Sequence, residues 1–194
     1  MARIIDESKI ERIKEATIQM VVSNGFGGAS ISEIAHRADV AEGYLYRHYK
    51  GKAELVNDLF YTTLNELINK LQGLIDNQHP ISEIVEKMVR ILFELASSKP
   101  ERIKFLYVLM HDYNFVIPAD QQDRIYKLCK RVKEMGLATG SIDPNIDEEE
   151  IYLLSVAYPI QFINLRLKSF FYQSKLGEKE IKKVLQISLK FIKE

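Results

Sequence analysis

Hydrophobic side chains recur every three to four residues along almost the whole chain, and alternating β-branched runs are nearly absent. That pattern predicts an all-α chain of about nine helices. From about Glu7 to Asn24, Ile10, Ile13, Thr17, Met20 and Val21 share a face, and Gly25 supplies the C-terminal stop. "SISE" at 30–33 reads as a capping box, with Ser30 accepting from the Glu33 N–H and Glu33 reaching back to the Ser30 N–H. The short helix it opens carries Ile31, Ile34, Ala35 and Ala38 on one side. "ADV" at 38–40 is a tight connection to a second short helix, from about Ala41 to Tyr49, with Val40 and Leu45 turned inward.

A long amphipathic helix follows from about Lys52 to Asn77. Pro80 and Pro100 open the next two, which run to about Ser98 and Tyr113. "NFVIPAD" is a loop, and another helix spans about Ala119 to Leu137. "ATGSIDPN" is a linker with turn chemistry at Gly140 and Asp143–Pro144. Asp147 caps a helix that begins with three glutamates, suited to its positive end, and runs to about Leu176 with a kink near Pro159. After Gly177 a last helix aligns Ile181, Val184, Leu185, Ser188 and Ile192.

Composition narrows the function. Of 194 residues, 46% are hydrophobic, ample for a core, and 27 Lys+Arg balance 27 Asp+Glu, so any contact with nucleic acid must be local. Within residues 1–55 the balance is also even, eight cations to eight anions, which implies weak non-specific binding and a shallow salt dependence. Cys129 is the only cysteine, which excludes an internal disulfide and suits a reducing compartment. The charged N-terminus lacks a signal-peptide core, and no run approaches the roughly 18 apolar residues of a membrane span, so a cytoplasmic protein is expected. His36, His48, His79 and His111 are scattered, with no zinc spacing, phosphate loop or nucleophile elbow; no catalytic residue, metal or cofactor is assigned.

The chemistry concentrates in "YLYRHYKGK", residues 44–52. Two short helices joined by about three residues match the helix-turn-helix plan, in which the second helix enters the major groove. With Val40 and Leu45 inward, Glu42, Gly43, Tyr44, Arg47 and His48 face outward. Tyr46 and Tyr49 flank them, and Lys50, Lys52 and the N-terminus of the following helix are placed to meet phosphates.

Residues 25–56, "GFGGASISEIAHRADVAEGYLYRHYKGKAELV", resemble the DNA-binding signature of the TetR family of bacterial transcriptional repressors. The matching positions are Gly25, Phe26, Ser30, Ile34, Ala35, Ala38, Val40, Gly43, Leu45, Tyr46, His48, Tyr49 and Lys52. The departures are Ala41 in place of a capping Ser, Glu42 where a cation is common, Tyr44 where a Thr is usual, and Gly51 in place of Ser at the next cap. Glu42 repels phosphate but is able to accept from cytosine N4. The family's residue at position 49 is buried, which makes Tyr49 more a core residue than a contact. The resemblance and the helix geometry together give a candidate DNA-binding set of Ser30, Glu42, Gly43, Tyr44, Tyr46, Arg47, His48 and Lys52.

The expected division is a DNA-binding domain over 1–52 and a helical effector-binding and dimerisation domain over 53–194. The helix at about 147–176 has two apolar stripes, one through Ile151, Leu154, Tyr158, Phe162 and Leu165, the other through Val156, Ile160, Ile163, Leu167 and Phe171. With the helix at 178–194 it predicts a four-helix homodimer interface, and a two-fold dimer calls for a roughly palindromic double-stranded DNA operator. The resemblance also implies a small-molecule pocket among the central helices, with ligand binding relayed to the DNA domains through the fourth helix. Tyr61, Tyr107, His111, Tyr126, Tyr158, Gln161 and Phe162 are the candidate liners, and their lack of concentrated charge suits a largely apolar or aromatic effector, not otherwise identified. The combined expectation is a ligand-released repressor; a family activator would present the same DNA-binding residues, and a helical enzyme or partner-binding module is the reading from another class.

Overall fold

A computed structural model describes residues 7–193; residues 1–6 and 194, the ends of the expected first domain and last helix, lie outside the described residues. Every regular element among the described residues is helical: α1 (Glu7–Gly28), α2 (Ile31–Arg37), α3 (Glu42–Leu45), α4 (Lys52–Asp76), α5 (Ile81–Ser98), α6 (Pro100–His111), α7 (Ala119–Thr139), α8 (Glu148–Tyr152), a π-helical turn (Leu153–Ala157), α9 (Tyr158–Leu167) and α10 (Glu178–Lys193). With α8, the π turn and α9 taken as one bent helix these make nine, as the periodicity predicts. No helix among the described residues is long and apolar enough to cross a membrane. The chain forms two compact units, residues 1–63 with 104–117, and residues 64–103 with 118–194.

In the first unit the core gathers Ile13, Val21, Ile34, Leu45, Leu55 and Val56, each essentially without solvent contact. The predicted inner face of α2 (Ile31, Ile34, Ala35, Ala38) is buried in full. Ser30 accepts from the Glu33 N–H at 3.2 Å, but the Glu33 carboxylate accepts from the Ser30 hydroxyl at 2.7 Å in place of the expected return bond from the Ser30 N–H. Gly25 breaks α1 with φ 72° and ψ 171°, a backbone region that only glycine enters without strain. The turn from α2 to α3 carries Asp39 at φ 53°, and Arg12 of α1 donates to the carbonyls of Ala38 (2.9 Å) and Asp39 (3.3 Å). That clamp holds the left-handed residue in place.

In the second unit α5 buries a continuous face (Ile84, Val85, Met88, Val89, Leu92 and Ala96) against α9, the π turn and α10. Arg90 ties α5 to α10 by paired hydrogen bonds to Glu178 at 2.9 and 2.8 Å. The α7–α8 linker closes over Gly136, where a Cβ would lie 2.4 Å from two side-chain carbons of Ile142, so this buried position admits no side chain. Asp147 caps α8 in a complete capping box with Glu150.

The long helix from Asp147 carries a π-helical turn, Leu153–Ala157, just before Pro159, where a kink is expected. The π turn widens the backbone just before the proline, which relieves the clash of its ring with the carbonyl four residues back. The helix ends at Leu167, not Leu176: Ser169 and Tyr172 adopt φ 49° and 57°, and Phe170, Phe171 and Tyr172 follow as a solvent-exposed run. Phe171, assigned to an apolar stripe, is therefore off the helix and 66% exposed.

Candidate nucleic-acid interface

α3 is four residues long, shorter than the expected span from Ala41 to Tyr49, and its chain continues as turns through His48. Ala41 gives no side-chain cap, and a helix this short is not self-supporting. Leu45, 0% exposed, is its only buried side chain. Val40, expected inward, is half-buried. Around Leu45, Glu42, Gly43, Tyr46 (56% exposed), Arg47 and His48 face solvent, as the inward and outward assignment requires.

Tyr44 is half-buried and organises its neighbours. Its ring lies 4.9 Å from the His48 ring, and the Arg47 guanidinium and the Lys9 ammonium sit over it at 5.0 and 5.7 Å. A tyrosine here thus collects two cations and an imidazole on the outer side of α3, where a threonine offers no face to stack on. Lys9 is absent from the candidate set because it lies 35 positions from Tyr44, beyond the reach of any periodicity (44 − 9).

Lys52 and Ser30 have partners inside the protein. The Lys52 ammonium donates to the carbonyls of Phe26 (2.7 Å) and Gly27 (3.2 Å) and lies 4.7 Å from the Phe26 ring centre. It caps the end of α1. The Glu54 carboxylate accepts from the Lys50 N–H at 2.5 Å, placing a negative charge at the start of α4, the expected phosphate position. The outer face of α2 adds residues that are not in the candidate set: Ser32, Glu33, His36 and Arg37 line an open depression with Met20, and Arg37 is fixed by donation to Gln19 at 2.7 Å.

Tyr49 is half-buried and its phenol donates to Asp58 at 3.0 Å. Burial first, then the charge and hydrogen bond of Asp58, push it up to about 12. A folded value above the ordinary one of about 10 means that its contribution is full below pH 10 and is lost as the pH rises towards 12. Urea titrations across that window should show the midpoint falling more steeply in the wild type than in Tyr49→Phe, and parallel curves would contradict the bond.

Of the candidate effector liners, Tyr61, Tyr107 and His111 belong to the first unit and Tyr126, Tyr158, Gln161 and Phe162 to the second. Tyr107 and His111 stack at 4.3 Å, and His111 Nδ1 is 2.7 Å from the Tyr107 carbonyl. Phe162 lies against Phe93 (6.3 Å) and beneath the Arg166 guanidinium (5.0 Å). Tyr158 and Gln161 are half-buried, and Tyr61 and Tyr126 are exposed. Within the second unit a cavity of about 560 Å³ opens between the α4–α5 turn, the end of α7 and α10, lined by Pro80, Ile81, Met135, Thr139 and Leu189 among others; none of the candidate liners reaches it.

A four-residue helix pinned by one leucine, set behind a clamped turn, with cations and tyrosines on its free side, has the geometry of the second helix of a helix-turn-helix. Residues 13–59 match the family model for bacterial regulatory proteins of the TetR family. The matched residues lie within the first unit and include α2 and α3. The chain is 21% identical over 155 residues to the HTH-type transcriptional repressor KstR2 of Mycolicibacterium smegmatis, covering 75% of this chain and 73% of the relative. Its fold superposes on a TetR family transcription regulator of Marinobacter aquaeolei VT8 with a TM-score of 0.78, 21% identity and 96% coverage of both chains. The transcriptional regulator FadR of Bacillus subtilis, in complex with stearoyl-CoA, superposes with a TM-score of 0.69 at 16% identity, covering 94% of this chain and 99% of that one.

Proposed function

We propose that this regulator is a repressor that binds a palindromic operator as a homodimer and is released by a largely apolar effector. The observation that carries the reading is the exposed row of Tyr46, Arg47 and His48 in the turn after α3, beside the half-buried Tyr44, with Leu45 the only buried side chain of the helix. Arg47 is suited to the O6 and N7 edge of guanine, Tyr46 to a phosphate, and Glu42 to cytosine N4. Ser30, which caps α2, and His36 and Arg37 on it suit the helix that crosses the DNA backbone in this motif. The exposure of Leu153 and Ile187, 46% and 41%, together with Phe170 and Phe171, supports pairing through the C-terminal helices. The FadR complex with stearoyl-CoA supports an effector with a long acyl chain.

Gly43 separates fold from function. A Cβ there would meet nothing within 4 Å in the protein, so Gly43→Ala should leave the protein as stable or up to about 1 kcal/mol more stable. The same methyl, facing the groove, should weaken operator binding. Thermal unfolding and a DNA titration read the two signs, and unchanged binding would remove Gly43 from the interface.

The experiment for the whole reading is selection of bound sequences from a random DNA pool, followed by titration of stearoyl-CoA into the complex. Enrichment of a palindrome with half-sites about one helical turn apart is expected, with release by the acyl-CoA. An enriched site without two-fold symmetry would sink the dimer, and no enrichment would sink the operator.

A further inference from the structure

We infer that Asp112, in the segment that follows α6, is a positioning residue for DNA binding, acting through the Gly25–Gly27 turn on Lys52. The inference rests on the DNA-binding reading above. Asp112 lies 86 positions beyond Phe26, yet its Oδ2 accepts the Phe26 N–H at 2.6 Å. The carbonyl of that same residue accepts from Lys52 at 2.7 Å. An anion and a cation thus hold one residue's backbone from its two ends, the carboxylate on its N–H and the ammonium on its carbonyl. The other carboxylate oxygen, Oδ1, receives the N–H of Asn114 at 2.9 Å and its side-chain amide at 3.0 Å, which fixes the carboxylate in place.

Three further observations show that the turn is built to receive this segment. Gly25 holds φ 72°, and a Cβ there would lie 3.0 Å from Asp112 Oδ2. A Cβ on Gly27 would lie 3.4 Å from the side-chain nitrogen of Asn114. Phe115, 8% exposed, wedges its ring between Phe26 (5.4 Å) and Phe60 (5.7 Å) in edge-on contacts. The bonds of Asp112 lead to the turn and, through the Phe26 carbonyl, to Lys52 at the first position of α4.

The test compares Asp112→Asn, Lys52→Ala and the double variant, each as the full chain. Asp112→Asn should keep the wild-type far-UV spectrum and oligomeric state while amide exchange at Phe26 and Gly27 speeds up about tenfold or more. Its dissociation constant for the selected DNA should rise about tenfold, and by much less in the Lys52→Ala background, as for groups in one hydrogen-bonded network. A purely structural carboxylate would cost the same in both backgrounds, and that result, or unchanged exchange at Phe26, overturns the inference. If Asp112→Asn does not fold, Phe115→Leu loosens the same segment with the carboxylate intact and is read by the same exchange and coupling. A wild-type chain that binds no selected DNA defeats the underlying DNA reading instead, and that is seen before any variant is made.

Discussion

Leu45→Ala lowers the stability of the first unit by about 2–5 kcal/mol, the cost of emptying a fully enclosed leucine site. Against a total stability on the order of 5–15 kcal/mol, that is a large fraction for one side chain. The size follows from how little else holds α3. The helix is a single turn, Ala41 adds no cap, and every other side chain from Glu42 to Leu45 is exposed or half-buried. DNA binding should fail together with the fold, because the same leucine sets which side of α3 faces out. Leu45→Met, which conserves volume, should lose less than about 1.5 kcal/mol and keep its DNA affinity. Urea unfolding of both variants checks this, and an alanine variant within about 1 kcal/mol of wild type would show that α3 is anchored some other way.

Gly25→Ala costs about 1–3 kcal/mol from backbone strain alone, since φ 72° with ψ 171° lies where only glycine is at ease. Its new Cβ also arrives 3.0 Å from Asp112 Oδ2, so either the carboxylate or the turn has to give. The same substitution at Gly73 should act in the opposite direction. Gly73 sits inside α4, exposed, and a Cβ there would meet nothing within 4 Å, so alanine should add up to about 1 kcal/mol. Opposite shifts in thermal midpoint are the expected result; two shifts of the same sign would mean that Gly25 is not held in the conformation described.

Local chemistry makes much of this fold readable. The Ser30 and Asp147 caps, the prolines at the starts of α5 and α6, and the buried face of α2 all follow from residues within a turn or two of each other. The outward row of α3 is equally legible, since Leu45 alone fixes the helix phase. What escapes depends on partners far away in sequence. Periodicity extends the 147–176 helix through "KSFFYQSK", where Ser169 and Tyr172 turn left-handed without any glycine to signal a stop. The Phe26 and Gly27 carbonyls that Lys52 reaches are not announced by any residue near it in sequence. Arg12 on the α2–α3 turn and Asp112 on the α1 terminus are hidden for the same reason, at separations of 26 and 86 residues. Tyr44, the residue the family pattern accounts for least, is the one that gathers Lys9, Arg47 and His48.

The most direct measurement is an anisotropy titration of wild type and Arg47→Ala against the selected duplex and a scrambled one at fixed salt. A helix-turn-helix reader should prefer its own site by about 10³-fold or more, and losing the Arg47 contact should cost about 1–3 kcal/mol on that site with little change on the scrambled duplex. Equal binding of the two duplexes by the wild type, or an Arg47→Ala variant that still discriminates as well, would contradict the assignment of α3 as the element that reads DNA.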